Sequence, residues 1–355
     1  MSSAAVAIWV EPHLFQDAIF DPTSKYNRDN CFAWYRELRK ALLCEGCSCH
    51  TQDVFQCSGD IPTIVLFGEI PSRNVSAVLG PWKGKSRPIA LLLEGETICP
   101  RNWDETRHRE FDYLFTWHTD YIGKPRYVEL RYTFSIDPEF RLLRDIGHKS
   151  KLCTMIAGNK MRRSHHELYS KRVEAIQWFE KNHPTDFDLY GTGWAEPRIR
   201  GIGRLKRAGL WPIVKLLFPP ESRPSYRGPV ESKLVVYKKY RFAFCFENSK
   251  DIPGYITEKL FDAFIGSCVP IYWGAPDIAD FVPDNCFIDF RQFQDFKKLY
   301  NYLVQMNDRE YMSYIDNIEN FLLSQLNGPF GARYSAQQVA KFIVESSAVP
   351  SRQPI

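Results

Sequence analysis

Nowhere does the chain carry an apolar run near the roughly 18 residues that a bilayer-spanning helix needs. Its apolar stretches, such as "IPTIVLFG" and "FAFCF", have the length of strands. The opening "MSSAAVAIWVEPHLF" lacks the basic residues that head a secretory leader, and Glu11 and Pro12 close its apolar patch. It reads as a first β-strand, and the expected compartment is the cytoplasm. A surplus of one charge is missing too. The 46 basic residues against 42 acidic ones leave a net +4. That is too mild to announce nucleic-acid binding, so an anionic ligand has to be held by local groups. No internal repeat and no heptad run is present, which excludes solenoids and coiled coils. "GTG" and "GIGRLKRAG" never complete the G-x-G-x-x-G dinucleotide pattern.

Cysteine is not scarce, at 10 residues, but the spacing of a metal site is. Only "CEGCSCH" crowds ligand types together (Cys44, Cys47, Cys49, His50), and no second pair follows at a suitable distance. A cysteine-rich helix-to-strand loop is the favoured reading there, and buried reduced thiols elsewhere. The basic run "RIRGIGRLKR" lacks interleaved aromatics. It reads as a solvated loop, or one in weak peripheral contact with anionic lipid, not as a nucleic-acid site.

What is present is an ordinary globular composition, 44% hydrophobic and 25% charged, over 355 residues, which is enough for two domains. "FAWYRELRKALL" has helical spacing; "IPTIVLFG", "RPIALLLEG" and "FDYLFTWHTD" read as strands. After a basic start, "KLCTMIAGN" is a strand, "SHHELYSKRVEAIQWFEKN" a long amphipathic helix and "FDLYGTGW" the next strand. The Gly-, Pro- and Arg-rich residues 196–232 read as a surface excursion. "FAFCF", a helix after Gly254, "VPIYWG" and "NCFIDF" follow, then a helical "SAQQVAKFIVESS". Alternating strands and helices predict parallel sheets wound by helices: an α/β fold, with an N-terminal domain over 1–147, a C-terminal domain over 148–330, and a helix with a frayed tail over 331–355.

The stretch "FCFENSKDIPGYITEKLFDAF" makes a strand–loop–helix unit whose loop and helix start fall at the carboxyl edge of a sheet, where ligands bind. Gly254 permits a tight turn, Thr257 or a neighbour can cap the helix, and its free amides suit phosphate. Lys259 adds a full charge, and Glu258 is a natural acceptor for paired ribose hydroxyls. Taken singly, these residues have blander explanations: Glu258 favours a helix start, and Lys259 with Asp262 makes a solvated pair three apart.

The whole string is more specific. "YRGPVESK…KYRFAFCFENSKDIPGYITEKLFDAFIGSCVPIYWGAPDI" closely resembles the donor-binding signature of glycosyltransferase family 10, the α-1,3/1,4-fucosyltransferases, in their soluble bacterial form. "GNKMRRSHHELYSKRVEAIQWF…FDLYG" is similar to the opening of that family's donor domain, and "LLLEGETICPRNWDETRHREFDYLFTW" to its acceptor segment. The resemblance implies a GT-B architecture, two Rossmann-like domains facing across a cleft, the first binding acceptor and the second GDP-fucose. It implies inverting transfer of L-fucose to GlcNAc O3 or O4 of a LacNAc-type or related glycan, or to a lipopolysaccharide precursor. Asn248, Tyr255, Glu258 and Lys259 fall on the family's nucleotide-contacting positions and Arg172 on its pyrophosphate-binding arginine, with Arg162 and Arg163 as rivals. Glu94, the first acid of "EGE", falls on the proposed general base, with Glu96 as its rival.

That chemistry asks for these residue types. A sugar hydroxyl is too weak an acid to attack unaided, so a carboxylate must take its proton. Charge growing on the departing pyrophosphate is met by Arg172, Lys259 and helix amides. No metal is then required, although a divalent cation that stimulates stays open. "DFD" (Asp186 to Asp188) has the D-x-D spacing of metal-bound sugar nucleotides, but it opens a strand, so a solvated strand start is preferred. His165 and His166 are expected on different sides of a helix, a poor metal pair. The alternatives are a GT-B transferase for another nucleotide sugar and an inactive sugar-binding protein.

Overall fold

The computed structural model describes residues 4–162, 164–197, 207–218 and 220–347. The chain forms two compact α/β units. The first joins the residues up to Phe140 with Pro253–Glu258 and the chain from Leu323 on; the second comprises Arg141–Ile252 and Lys259–Leu322.

The first unit is built on an all-parallel sheet of six strands: β1 Ala5–Trp9, β2 Ser48–Thr51, β3 Ile64–Phe67, β4 Arg87–Leu92, β5 Tyr113–Thr116 and β6 Tyr127–Glu129, in the order β2-β1-β3-β4-β5-β6. Its strands are apolar on both faces because helices cover both. Alternation sorts the side chains. Val6, Ile8, Ile64, Leu66, Ile89 and Leu91 pack with the helices Ala33–Cys44 and Ala332–Ser347, whereas Ala7, Val65, Phe67, Ala90 and Leu92 pack with Phe55, Trp82 and Phe111. The C-terminal helix is thus part of this core: Trp34 Nε1 donates to Ser335 Oγ (3.1 Å), and Phe342 meets Tyr113 and Phe115 edge-on. The residues after Ser347, read as a frayed tail, lie outside the described residues.

The second unit holds five parallel strands: β7 Lys151–Ile156, β8 Phe187–Tyr190, β9 Tyr240–Phe246, β10 Val269–Trp273 and β11 Ile288–Asp289, in the order β11-β10-β9-β7-β8. In both sheets the second strand lies on one side of the first and the third on the other. Such an order makes a topological switch point, and the carboxyl ends of the strands flanking it open a crevice. In the second unit that point lies between β7 and β9.

Two local expectations need correction. The long helix begins at Tyr169, so His165 and His166 precede it in a turn. The Gly/Pro-rich excursion is not all surface: Ser225 is buried, and Arg227 N donates to Leu189 O (2.8 Å), bringing the chain back beside β8. The basic run lies outside the described residues except for Arg207. Among the described residues no helix is long and apolar enough to cross a membrane, and no group of three or more His, Cys, Asp or Glu residues is placed to hold a metal ion. The "CEGCSCH" segment runs from the end of a helix into β2, with Cys47 and Cys49 buried; burial pushes the Cys49 thiol up to about 12.

Candidate functional site

The predicted residues fall into two sets, one in each unit. In the second unit the set gathers at the switch point. Leu168 N donates to Asn248 O (3.1 Å) and Lys250 N to His166 O (2.7 Å), stitching the segment before the Tyr169–Asn182 helix to the loop that leaves β9. Arg172, in the first turn of that helix and 5% exposed, sends Nη2 to the carbonyl of Phe246 (2.6 Å) and to Asn248 Oδ1 (3.1 Å). Its guanidinium also lies over the Tyr169 ring. A buried cation, held by the last carbonyl of a central strand at the start of a helix, is suited to a phosphate group.

Lys259 belongs to the same unit and has a partner that the sequence reading did not single out. Its Nζ lies 3.2 Å from Glu247 Oε2, and Glu247 is fully buried. Glu247 continues the ladder past β9 by donating its N–H to Trp273 O (2.8 Å). Gly274 leaves it room: a Cβ there would stand 2.5 Å from Glu247 Cγ and 2.4 Å from the Tyr272 hydroxyl. Burial, and then the Glu247 charge, keep that tyrosine protonated far above its ordinary range. The signal was present in "FAFCFE", an acid closing an otherwise apolar strand run.

The D-x-D pair is structural. Asp188 is buried, against the expectation of a solvated strand start, and accepts from Arg227 Nε (2.6 Å) and the Tyr240 hydroxyl (2.7 Å), with Lys151 Nζ at 3.4 Å. Asp186 accepts from the Tyr300 hydroxyl (2.7 Å). "GTG" marks a close crossing: a Cβ on Gly191, at φ +128°, would stand 2.0 Å from Ala157 O. Arg162 is exposed and donates to Met161 O; Arg163 lies outside the described residues.

In the first unit the set centres on the loop after β4. Three successive carbonyls are each held twice. Leu93 O accepts from Trp117 Nε1 and the Tyr132 hydroxyl (both 2.7 Å), and Glu94 O from Trp103 Nε1 (3.0 Å) and Asn102 Nδ2 (3.4 Å). Gly95 O accepts from the N–H groups of Ile98 and Cys99 (both 3.0 Å). Asn102 is fully buried and also accepts from Ile70 N (3.0 Å). The backbone carrying Glu94 is therefore rigid, its side chain is half-buried, and Glu96 is exposed. Neither Asn102 nor the two tryptophans was singled out in the sequence, because nothing local marks a clamp formed across a sheet edge.

Tyr255 joins this loop. Its ring is fully buried, 4.7 Å from the Trp117 ring, and covers Gly95 so closely that a Cβ there would stand 3.2 Å from Tyr255 Cζ. Gly254 explains how the chain gets there. It has φ +78°, and a Cβ would stand 2.3 Å from Trp117 O and 2.9 Å from Thr119 Oγ1. Gly254→Ala should lower stability by about 1–3 kcal/mol through strain and collision together, read as a shift in a urea unfolding curve. Glu258 and Lys259 open the helix Glu258–Ile265, Glu258 grouping with the first unit and Lys259 with the second.

Residues 146–329, more than half of the chain, match the family described as glycosyltransferase family 10 (fucosyltransferase), C-terminal part. The α-(1,3)-fucosyltransferase FucT of Helicobacter pylori is 34% identical over 100 residues, 28% of this chain and 20% of that protein. The GDP-fucose protein O-fucosyltransferase 3 of Danio rerio is 36% identical over 101 residues, 28% of this chain and 22% of that protein. The chain thus matches only about a fifth of the length of these relatives. A solved α1,3-fucosyltransferase has the same fold, with a TM-score of 0.56 at 16% identity over 99% of this chain and 92% of that one. The expected α/β, GT-B fold class is therefore met, and the chain belongs to glycosyltransferase family 10, the fucosyltransferases.

Proposed function

We propose that the protein transfers L-fucose from GDP-fucose, with inversion, to a sugar hydroxyl, GlcNAc O3 or O4 of a LacNAc-type or related glycan. The observation that carries this reading is the buried Arg172–Asn248 pair at the switch point of a sheet inside the region that matches the family. Arg172 and Lys259 take the phosphates, while Asn248 and Glu258 take the rest of the nucleotide, Glu258 receiving hydrogen bonds from the ribose; Tyr255, fully buried against Trp117 and Gly95, backs the loop that carries Glu94. Glu94 removes the proton of the acceptor hydroxyl. The acceptor oxygen bonds to the anomeric carbon of fucose through an oxocarbenium-like state as the bond from that carbon to the β-phosphate oxygen breaks, so that GDP leaves with the electron pair. The cytoplasmic location is part of the same proposal.

No step is routed through a metal, and the D-x-D carboxylates are already engaged by Arg227, Tyr240, Lys151 and Tyr300. Turnover should accordingly survive EDTA. Asp188→Asn should cost stability, through its buried partners, without changing any response to manganese. Activity abolished by EDTA and restored by manganese would overturn this.

A second acceptor reading, a polypeptide hydroxyl, draws on the name of the zebrafish relative; a lipopolysaccharide precursor is a third. The decisive experiment is a screen of nucleotide sugars against a glycan array and unfolded polypeptides. Turnover of GDP-fucose on a glycan supports the proposal. Turnover of a different donor, or of none even by slow hydrolysis, supports the other transferase or the inactive sugar-binding protein respectively.

A further inference from the structure

The first unit has a pocket of about 360 Å³, lined from the short helix Glu105–His108 and from the starts of β5 and β6. Leu114 and Tyr127 give it apolar walls, and Arg109, Arg126 and Glu105 bring charge to it. The two arginines stand apart from others of the same unit. Arg87, Arg101, Arg107 and Arg131 are each paired with a carboxylate. Among the described residues, Arg109 and the half-buried Arg126 have neither an ion-pair nor a side-chain hydrogen-bond partner. Glu105, the acid that lines the pocket, is turned to the Tyr121 hydroxyl (2.6 Å) instead. Arg126 is moreover held at φ +73°, a left-handed conformation that an arginine adopts only at a cost in strain. Two guanidiniums without an acid, in a concavity, suit a carboxylate or a phosphate, either of which a guanidinium grips with two parallel hydrogen bonds.

The pocket is joined to the loop that carries Glu94. The Tyr127 hydroxyl donates to His108 Nδ1 (2.7 Å), His108 Nε2 to the carbonyl of Asn102 (2.8 Å), and Asn102 Nδ2 to the carbonyl of Glu94 (3.4 Å). Aromatic rings run the same way. Trp103, which also holds the Glu94 carbonyl, lies 6.0 Å from the Tyr121 ring, and Tyr121 lies 4.8 Å from Tyr127. All three are half-buried, so each keeps surface on which the C–H face of a sugar can stack. A glycan whose hydroxyl meets Glu94 has these rings to lie along on the way to the arginines.

We propose that this pocket is an acceptor subsite for an acidic group, a carboxylate or a phosphate, carried by the glycan a short way from the fucosylated sugar. The proposal rests on the transfer reaction assigned above and names the kind of acceptor it uses. The test compares three acceptors with GDP-fucose: N-acetyllactosamine, the same disaccharide capped with glucuronic acid, and the same disaccharide phosphorylated on its galactose. For at least one acidic form kcat/KM should exceed the neutral value by about tenfold or more, through KM, and the gap should narrow in high salt. Which form is preferred tells carboxylate from phosphate. Arg109→Ala combined with Arg126→Gly should bring the ratio of acidic to neutral acceptor down to about one. Urea unfolding should show no loss of stability in Arg126→Gly, because glycine takes a positive φ without strain. Damage to the fold would lower all three acceptors alike and leave the ratio standing. The proposal falls if the wild type prefers neither acidic form, or if the preference survives in the double variant. If no acceptor is fucosylated, the transfer reading fails by itself, and calorimetric titration of the full chain with the three sugars still decides the subsite. Tighter binding of an acidic form, lost in the double variant, supports it; equal binding of all three overturns it.

Discussion

Glu94→Gln should lower transfer from GDP-fucose by about two to four orders of magnitude and leave GDP affinity nearly unchanged. The amide keeps the size and hydrogen bonding of the carboxylate but cannot accept a proton. The local backbone will not confuse the result, because the Glu94 carbonyl is held by Trp103 and Asn102 whatever the side chain is. Weakening that clamp is a different experiment: Asn102→Ala should slow turnover and also destabilise the fold, since it strips a buried partner from Ile70 N. Steady-state kinetics of Glu94→Gln and Glu96→Gln side by side settle the assignment. Near-normal turnover in the first with a dead second would move the base to Glu96.

Lys259→Ala should destabilise the protein by on the order of 3 kcal/mol, apart from any effect on nucleotide binding. Glu247 is fully buried, and the substitution takes away its ion-pair partner at 3.2 Å. The loss of nucleotide affinity therefore has to be separated from the loss of fold. Glu247→Gln in the same chain removes the buried charge and should recover most of the unfolding free energy. It should not recover GDP affinity if the lysine serves the phosphates. Glu258→Ala should weaken GDP and guanosine alike, by about 1–3 kcal/mol, whereas the double variant weakens GDP and spares guanosine. Calorimetric titration with both ligands, beside urea unfolding of each variant, is the measurement. Equal losses for both ligands in both variants would mean that the helix start is only scaffolding.

The elements legible from the sequence were those whose burial is set locally. β3, β4, β9 and β10 are continuous apolar runs, and the Ala33–Cys44 helix shows its apolar stripe directly. β2 was hidden among cysteines, and β6 is three residues with no buried position. The helices Phe296–Gln305 and Asp308–Ser324 went unassigned although both are amphipathic. At the site, Arg172 and Asn248 were nameable because their spacing carries a family pattern, and the structure brings them within hydrogen-bonding reach. Glu247 and Asn102 were not, because what marks them is a partner 12 residues away in one case and a clamp on a neighbouring loop in the other. Asp188 was misjudged for the same reason: its partners Arg227 and Tyr240 come from 39 and 52 residues further on.

The helix Ala332–Ser347 bears on how the chain is made. Trp34 finds Ser335 only across 301 residues, and Leu38 and Leu42 share a core with Val339, Ala340 and Ile343. During synthesis the first sheet is therefore translated early yet lacks one of its covering helices until the second unit has also been made. The second unit has no such debt, since it is complete by Leu322. The amino-terminal half should emerge as the more chaperone-dependent one, closing last through the contact of highest sequence separation.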